Sequence, residues 1–160
     1  MFYEVKNAKR ARELLAKLKN GNAANGKKIY QRPELACVNC HKIKGIGLSN
    51  IGPDLGSIGA SAPADYILES LIEPSKKIKE GYKSSTITMK NGDFYGGSVV
   101  FENGNLIKIK DAAGTETSLQ KSKIESRKAS KVSMMPSGLT DSLSEAEFID
   151  LLKYLSELGK

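Results

Sequence analysis

The sequence predicts a mainly α fold, with helices packed around one site and a small antiparallel β-meander inserted between them. Apolar side chains recur at helical spacing near both ends of the chain. Between about residues 83 and 124 the period changes to the alternation that is typical of strands. With 160 residues, 39% of them hydrophobic, the chain is long enough to build one domain with a core.

Four helices are predicted from apolar spacing and from signals at their ends. They span residues 3–19, 23–32, 63–73 and 143–158. The first is amphipathic with a strongly basic side, and Asn20 and Gly21 end it. Pro74 ends the third, because proline cannot continue a helix. Ser144 and Glu147 form a capping box at the start of the last helix.

The predicted β-meander has three or four short strands separated by turn signals. Asn91-Gly92 and Asn103-Gly104 are hairpin signals, and residues 111–114 form a further turn. Residues 121–133 are polar, so we expect them to be irregular.

The segment Cys37-Val38-Asn39-Cys40-His41 contains both cysteines and the only histidine of the chain. Two thiols three positions apart, followed directly by an imidazole, are typical of a c-type haem attachment site. On one turn of chain the two sulfurs can form thioethers with the two vinyl groups of a haem. The histidine that follows can then act as the proximal ligand of the iron.

Three other interpretations of this segment are a zinc site, a redox-active cysteine pair and a structural disulfide, and each is less favourable. A structural zinc site normally has four ligands, so Cys37, Cys40 and His41 would need an added carboxylate. A thioredoxin-like redox pair is expected beside a βαβ pattern, which is not predicted here. A disulfide between residues so close in sequence is strained and would connect nothing distant.

A glycine-rich loop at residues 42–55 follows the histidine and can approach a flat group closely. Pro53 in this loop has a carbonyl that could accept the Nδ1–H of His41. That bond would orient the imidazole and raise its strength as a ligand.

The second axial ligand of the iron is predicted to be a methionine, because there is no second histidine. The candidates are Met1, Met89, Met134 and Met135. Met89 lies in a predicted strand, where a packing role is favoured. Met135 is preferred because Pro136 would stiffen its loop, with Met134 as the alternative. Ligation by a lysine also stays open in a chain this rich in lysine.

Charge and composition restrict the partners. The formal net charge is +7 and the isoelectric point is about 9.3. This charge is typical of an ordinary soluble surface, and its functional interpretation is docking to an acidic redox partner. Nucleic acid is not predicted as a partner, because there is no tryptophan and no known binding motif. No apolar stretch approaches the roughly 18 residues of a membrane span.

The sequence does not predict a signal peptide, because residues 1–20 have no apolar core region. Covalent haem attachment takes place outside the cytoplasm, so we expect an extracytoplasmic compartment such as the periplasm. An export signal was then either removed or belongs to a longer exported chain. The oligomeric state cannot be derived from these features.

Taken in order, these motifs resemble those of a class I c-type cytochrome. The resemblance is closer to the haem-binding domain family common in planctomycetes and verrucomicrobia, and it covers about residues 21–158. The residues that carry it are Gly26, Tyr30, Cys37, Cys40, His41, Gly52-Pro53-Asp54-Leu55, Ile58-Gly59, residues 66–70, residues 73–75, Gly81-Tyr82, Ser133, Met135-Pro136 and Gly138-Leu139.

The resemblance implies a cytochrome c fold over residues 21–160, with a β insertion at about 83–124. It implies one covalent haem c on Cys37 and Cys40, with His41 as proximal and Met135 as distal ligand. It also implies that Pro53 is the hydrogen-bond partner of His41. Residues 1–20 lie outside it, as the end of a preceding module or a separate addition.

The resemblance further implies that Gly26 and Tyr30 contact the C-terminal helix near Tyr154. In that family the domain often lies at the C-terminus of large exported proteins, so a fused dehydrogenase module is a second candidate partner.

The predicted function is single-electron transfer by a monohaem cytochrome, and the chain itself is not expected to be an enzyme. Lys42 and Lys44 are candidate charges at the rim of the site. One alternative is a haem enzyme or gas sensor with an open or labile sixth position. Another is that the β-meander is a protein-docking module, whereas the simpler interpretation is that it covers a haem edge and adds core.

Overall fold

The computed structural model describes residues 8–47 and 51–160, and within them the fold is α+β. The helices are α1 (Ala8–Lys17), α2 (Ala23–Tyr30), α3 (Cys37–Cys40), α4 (Ile58–Ser61), α5 (Ala64–Ile72) and α6 (Glu145–Glu157). The strands are β1 (Ser84–Met89), β2 (Phe94–Glu102), β3 (Leu106–Lys110), β4 (Glu116–Gln120) and β5 (Ile124–Ala129).

The prediction of a mainly α cytochrome c fold is wrong. Within residues 8–47 and 51–160, helices, 3₁₀ turns included, account for 38% and strands for 22%, and the five strands found there form one antiparallel sheet. The predicted helices at 23–32, 63–73 and 143–158 are present, and each is two or three residues shorter than predicted. The strand share was underestimated because β5 was not recognised.

The chain divides into two compact units. The helical unit comprises the chain up to Lys76 together with Pro136–Lys160, and the sheet unit comprises Lys77–Met135. The sheet unit is thus one continuous insertion between two parts of the helical unit, and it is longer than the predicted insertion at about 83–124.

Helices α2 and α6 pack closely in the helical unit. A Cβ atom built on Gly26 would lie 2.0 Å from the carbonyl oxygen of Asp150 and 2.7 Å from Cβ of Tyr154. One turn later, Tyr30 is buried, and its ring centroid is 6.0 Å from that of Tyr154. The predicted contact of Gly26 and Tyr30 with the last helix is therefore confirmed. Only a residue without a side chain lets the two backbones approach this closely.

Helix α6 begins with the predicted capping box. The hydroxyl of Ser144 accepts from the backbone N–H of Glu147, whose carboxylate accepts from the N–H of Ser144. The carboxylate also accepts from Arg32 at 2.6 Å. These bonds, led by the backbone N–H of Ser144, lower the pKa of Glu147 to about 2. The first turn of α6 is thereby joined to the segment that precedes Cys37.

Helix α1 also belongs to the helical unit. Its described part begins at Ala8, so residues 3–7 of the predicted helix lie outside the described residues. The carboxylate of Glu145 in α6 forms ion pairs with Arg10 and with Lys17, the latter at 2.5 Å. The basic side of α1 is therefore partly neutralised by α6.

The sheet unit has the strand order β4-β3-β2-β1-β5. One face buries an apolar cluster made of Ile87, Met89, Ile107, Ile109 and Leu119. Strand β5 pairs with β1, so the prediction that residues 121–133 are irregular is wrong for this part. Five of the six residues of β5 are exposed, and its sequence has no alternation of apolar and polar residues. Main-chain pairing with β1 therefore determines its structure.

The sheet is strongly curled. Strands β4 and β5 lie at opposite edges but are joined only by a 3₁₀ turn, Lys121–Lys123. The chain from Gln120 to Ile124 spans at most about 15 Å, whereas the edges of a flat five-stranded sheet lie about 19 Å apart. The carboxylate of Glu102, at the end of β2, forms ion pairs with Lys121 in this turn at 2.8 Å and with Arg127 in β5 at 2.9 Å. The two edges therefore approach each other at the turn Lys121–Lys123.

Gly26→Ala should destabilise the helical unit, because its methyl group would overlap the backbone of α6. We expect the free energy of unfolding to fall by about 2 kcal/mol, although alanine favours the helix by about 1 kcal/mol. Chemical denaturation measures the change. Lys27→Ala, at an exposed position of the same helix, is the control and should change stability by less than about 0.5 kcal/mol. Equal stability of the two variants would contradict the contact.

Candidate functional site

The two cysteines are the first and last residues of the single-turn helix α3. Ala36 precedes the helix in the left-handed region, with φ of 53°, which turns the chain into it. Both thiols are free and half-buried. The N–H of His41 donates to the carbonyl of Cys37 at 3.0 Å, and His41 then leaves the helix with extended backbone. Two thiols and an imidazole thus follow each other within one turn.

A hydrogen bond to the loop fixes the imidazole of His41. Its Nδ1 lies 2.7 Å from the carbonyl oxygen of Pro53. Because a carbonyl can only accept, Nδ1 carries the proton and Nε2 is left with its lone pair. Burial lowers the pKa of His41, while the bond to Pro53 acts in the opposite direction. A neutral imidazole with a free Nε2 and an oriented ring is the form that binds a metal.

Gly52 is a site residue whose specific role the sequence reasoning missed. A Cβ atom on Gly52 would lie 2.4 Å from Cε1 and 2.7 Å from Nδ1 of His41, so a side chain there would overlap the ring. The N–H of Gly52 also donates to the carbonyl of Cys40 at 2.8 Å. The sequence predicts that Gly52 lies in a glycine-rich loop, but it does not indicate that this glycine faces the ring.

The backbone carbonyl of His41 is contacted by Tyr30 and Gly47. The hydroxyl of Tyr30 donates to the carbonyl of His41 at 3.1 Å. Gly47 lies against the same carbonyl, with φ of 116°, and a Cβ there would be 2.1 Å from the oxygen. The ring, the N–H and the carbonyl of His41 are therefore each fixed by a separate neighbour.

The electrostatics of the thiols do not favour a redox-active cysteine pair. Burial raises the pKa of Cys37 to about 11 and also raises the pKa of Cys40. Reactive Cys-x-x-Cys pairs instead have a thiol with a lowered pKa. Within residues 8–47 and 51–160, no group of three or more His, Cys, Asp and Glu residues could hold a metal ion, so the added carboxylate of a zinc site is not found there.

The structure brings together Cys37, Cys40, His41 and Pro53 in the helical unit. The methionine candidates lie in the sheet unit, apart from Met1, which is outside the described residues. Met89 is buried in the apolar cluster of the sheet. Met134 and Met135 are half-buried in the segment after β5, and Met135 is the last residue of the sheet unit. The pairing of His41 with Met135 stays a prediction.

Gly52→Ala should displace the His41 ring and weaken its bond to Pro53. In the apoprotein we expect the Nδ1 proton of His41 to exchange faster with solvent, which nitrogen-15 NMR of the ring detects. The free energy of unfolding should fall by about 1–2 kcal/mol. Gly104→Ala is the control, because nothing lies within 4 Å of a Cβ at that position. An unchanged ring proton in Gly52→Ala would contradict this role.

Comparisons with known proteins do not place the chain in a family. No family model matches it, and no curated protein matches it significantly. In the part of the chain that the structure describes, none of the helices has the length and apolar character needed to cross a membrane. The residues around His41 therefore carry the functional inference.

Proposed function

We propose that this chain binds one haem c covalently and carries single electrons between redox partners. The observation that supports it best is the bond from His41 Nδ1 to the Pro53 carbonyl, directly after Cys37 and Cys40. This bond prepares Nε2 as a ligand at the place where two thiols can hold a porphyrin edge. The motifs that resemble those of class I cytochromes point to the same chemistry.

Cys37 and Cys40 would provide the covalent attachment. Each thiol adds its S–H across one vinyl group, so a C–S bond forms and no electron acceptor is needed. Both thiols are free and belong to one helical turn, so both can serve one haem edge. Burial raises the pKa of both thiols, so neither cysteine is activated as a thiolate before haem is present.

His41 and Met135 would be the axial ligands. When bound, haem supplies an iron that gains or loses one electron. His41 contributes a ring whose orientation is fixed, which keeps rearrangement small. Met134 is a weaker candidate than Met135, because its sulfur already accepts from the hydroxyl of Ser98 at 3.1 Å. Pro136, directly after Met135, would restrict the ligand backbone.

The proposed partner is an acidic redox protein or a fused dehydrogenase module in an extracytoplasmic compartment. The chain carries 25 Lys and Arg against 18 Asp and Glu. Lys44 is exposed and Lys42 half-exposed beside the attachment motif. Positive charge at this position would attract an acidic surface and speed its approach.

Covalent haem binding can be tested in a host that exports the chain and attaches haem. We expect the mass of the protein to rise by one haem, and the haem to stay bound after denaturation. Replacing both Cys37 and Cys40 by alanine should abolish this. Met135→Leu should open the sixth position, so that the reduced protein binds carbon monoxide readily, whereas the wild type should not. Met89→Leu, inside the sheet cluster, is the control.

Two results would contradict the proposal in different ways. A wild-type chain that never retains haem after denaturation would exclude covalent attachment. If the wild type bound carbon monoxide readily, the sixth position would be open, and the function would be that of an enzyme or sensor and not electron transfer. If Met134→Leu rather than Met135→Leu opened the site, the ligand would be Met134.

The rate of oxidation of the reduced holoprotein by ferricyanide, an anionic probe, should depend on salt. We expect the rate to fall roughly tenfold as ionic strength rises from about 0.01 to 0.15 M. Replacing Lys42 and Lys44 by glutamine should flatten this dependence. Lys123→Gln, an exposed charge in the sheet unit, is the matched control. A salt-independent rate in the wild type would exclude electrostatic attraction.

A further inference from the structure

Two buried serines connect the sheet to the segment that contains the candidate ligand. Ser84 in β1 and Ser98 in β2 are partners in the strand register, and their exposed fractions are only 9% and 3%. The hydroxyl of Ser84 donates to the carbonyl of Val132 at 3.1 Å, and that of Ser98 to the sulfur of Met134 at 3.1 Å. Both hydroxyls therefore bind the chain that follows β5.

Further bonds order the same segment. The N–H of Ser130 donates to the carbonyl of Ser84 at 2.9 Å, and the N–H of Val132 donates to the hydroxyl of Ser130 at 3.0 Å. The N–H of Met135 donates to the hydroxyl of Ser133 at 3.1 Å. The segment from Ser130 to Met135 is thus held to the first strand pair at both of its ends.

The contact of Ser98 with Met134 is directional. A serine hydroxyl has one proton, and the other acceptor near it, the carbonyl of Tyr82, lies at 3.4 Å. The sulfur is nearer although sulfur is the larger atom, so the proton points towards Met134. Since Met134 is half-buried and adjacent to Met135, fixing its side chain restricts the backbone at Met135.

We infer that Ser98 is a positioning residue for the axial ligand: it holds Met134 on the sheet and thereby sets how Met135 is presented. This inference rests on the proposed function, because it takes Met135 as the ligand. It gives the β insertion a role, which is to carry the segment that provides the sixth ligand.

Competition by imidazole tests this role in the holoprotein. Added imidazole displaces the sixth ligand, so its apparent Kd reports how firmly Met135 is held. We expect Ser98→Ala to lower this Kd roughly twofold to tenfold, the effect of one buried hydrogen bond. Ser126→Ala, which removes an exposed hydroxyl from β5, should leave the Kd unchanged. An unchanged Kd in Ser98→Ala would overturn the inference.

A second variant tests the route through the sulfur. Met134→Leu keeps the volume of the side chain and removes the acceptor. In the Met134→Leu background, Ser98→Ala should have no further effect on the Kd for imidazole. An equal effect of Ser98→Ala with and without Met134 would overturn the inference, because Ser98 would then act through the sheet in general.

Hydrogen exchange of the apoprotein gives a readout that does not depend on haem. Ser98→Ala should speed exchange of the amides of residues 132–135 roughly twofold to tenfold and leave those of β1 and β2 unchanged. Equal rates in both proteins would overturn the anchoring. A wild type that takes up no covalent haem would overturn the proposed function and the ligand role together. A loaded wild type with faster exchange but unchanged imidazole competition in Ser98→Ala would overturn the ligand role alone.

Discussion

The close approach of α2 and α6 at Gly26 is the contact on which the site in the helical unit depends. It places Tyr30 against Tyr154, with its ring buried and its hydroxyl on the carbonyl of His41. Burial raises the pKa of Tyr30, so the hydroxyl stays protonated and continues to donate. The Cys-x-x-Cys-His turn is therefore attached to the core of the unit through one aromatic side chain. The same region is tied to α6 a second time, through Arg32 and Glu147.

Much of the site could be predicted from sequence because its chemistry depends on short spacings. Cys37 and Cys40 lie within one turn and His41 follows directly, so their arrangement is a local property. The partnership of His41 with Pro53 spans only 12 positions and followed from the resemblance and from the acceptor character of a carbonyl. The role of Gly52 could not be found in this way, because what matters there is the space that its missing side chain leaves for the ring.

The fold was harder to predict because part of the sheet has no local signal. Strands β1 to β4 are separated by turn signals, whereas β5 is charged and exposed along most of its length. Its pairing with β1 depends on main-chain bonds between residues about 40 positions apart, as in Ile87 with Arg127. The contacts of Ser84 and Ser98 with the segment after β5 are equally distant in sequence. No pattern in the sequence around either serine indicates such a contact.

The charged character of β5 has a consequence for how the chain behaves among other chains. An edge strand offers unpaired N–H and C=O groups that a second molecule can use for continuous sheet growth. Here that edge carries Glu125, Arg127 and Lys128, and the short turn after β4 brings the opposite edge round towards it. A foreign strand would have to desolvate these charges. The charges of β5 therefore oppose the addition of a foreign strand at this edge.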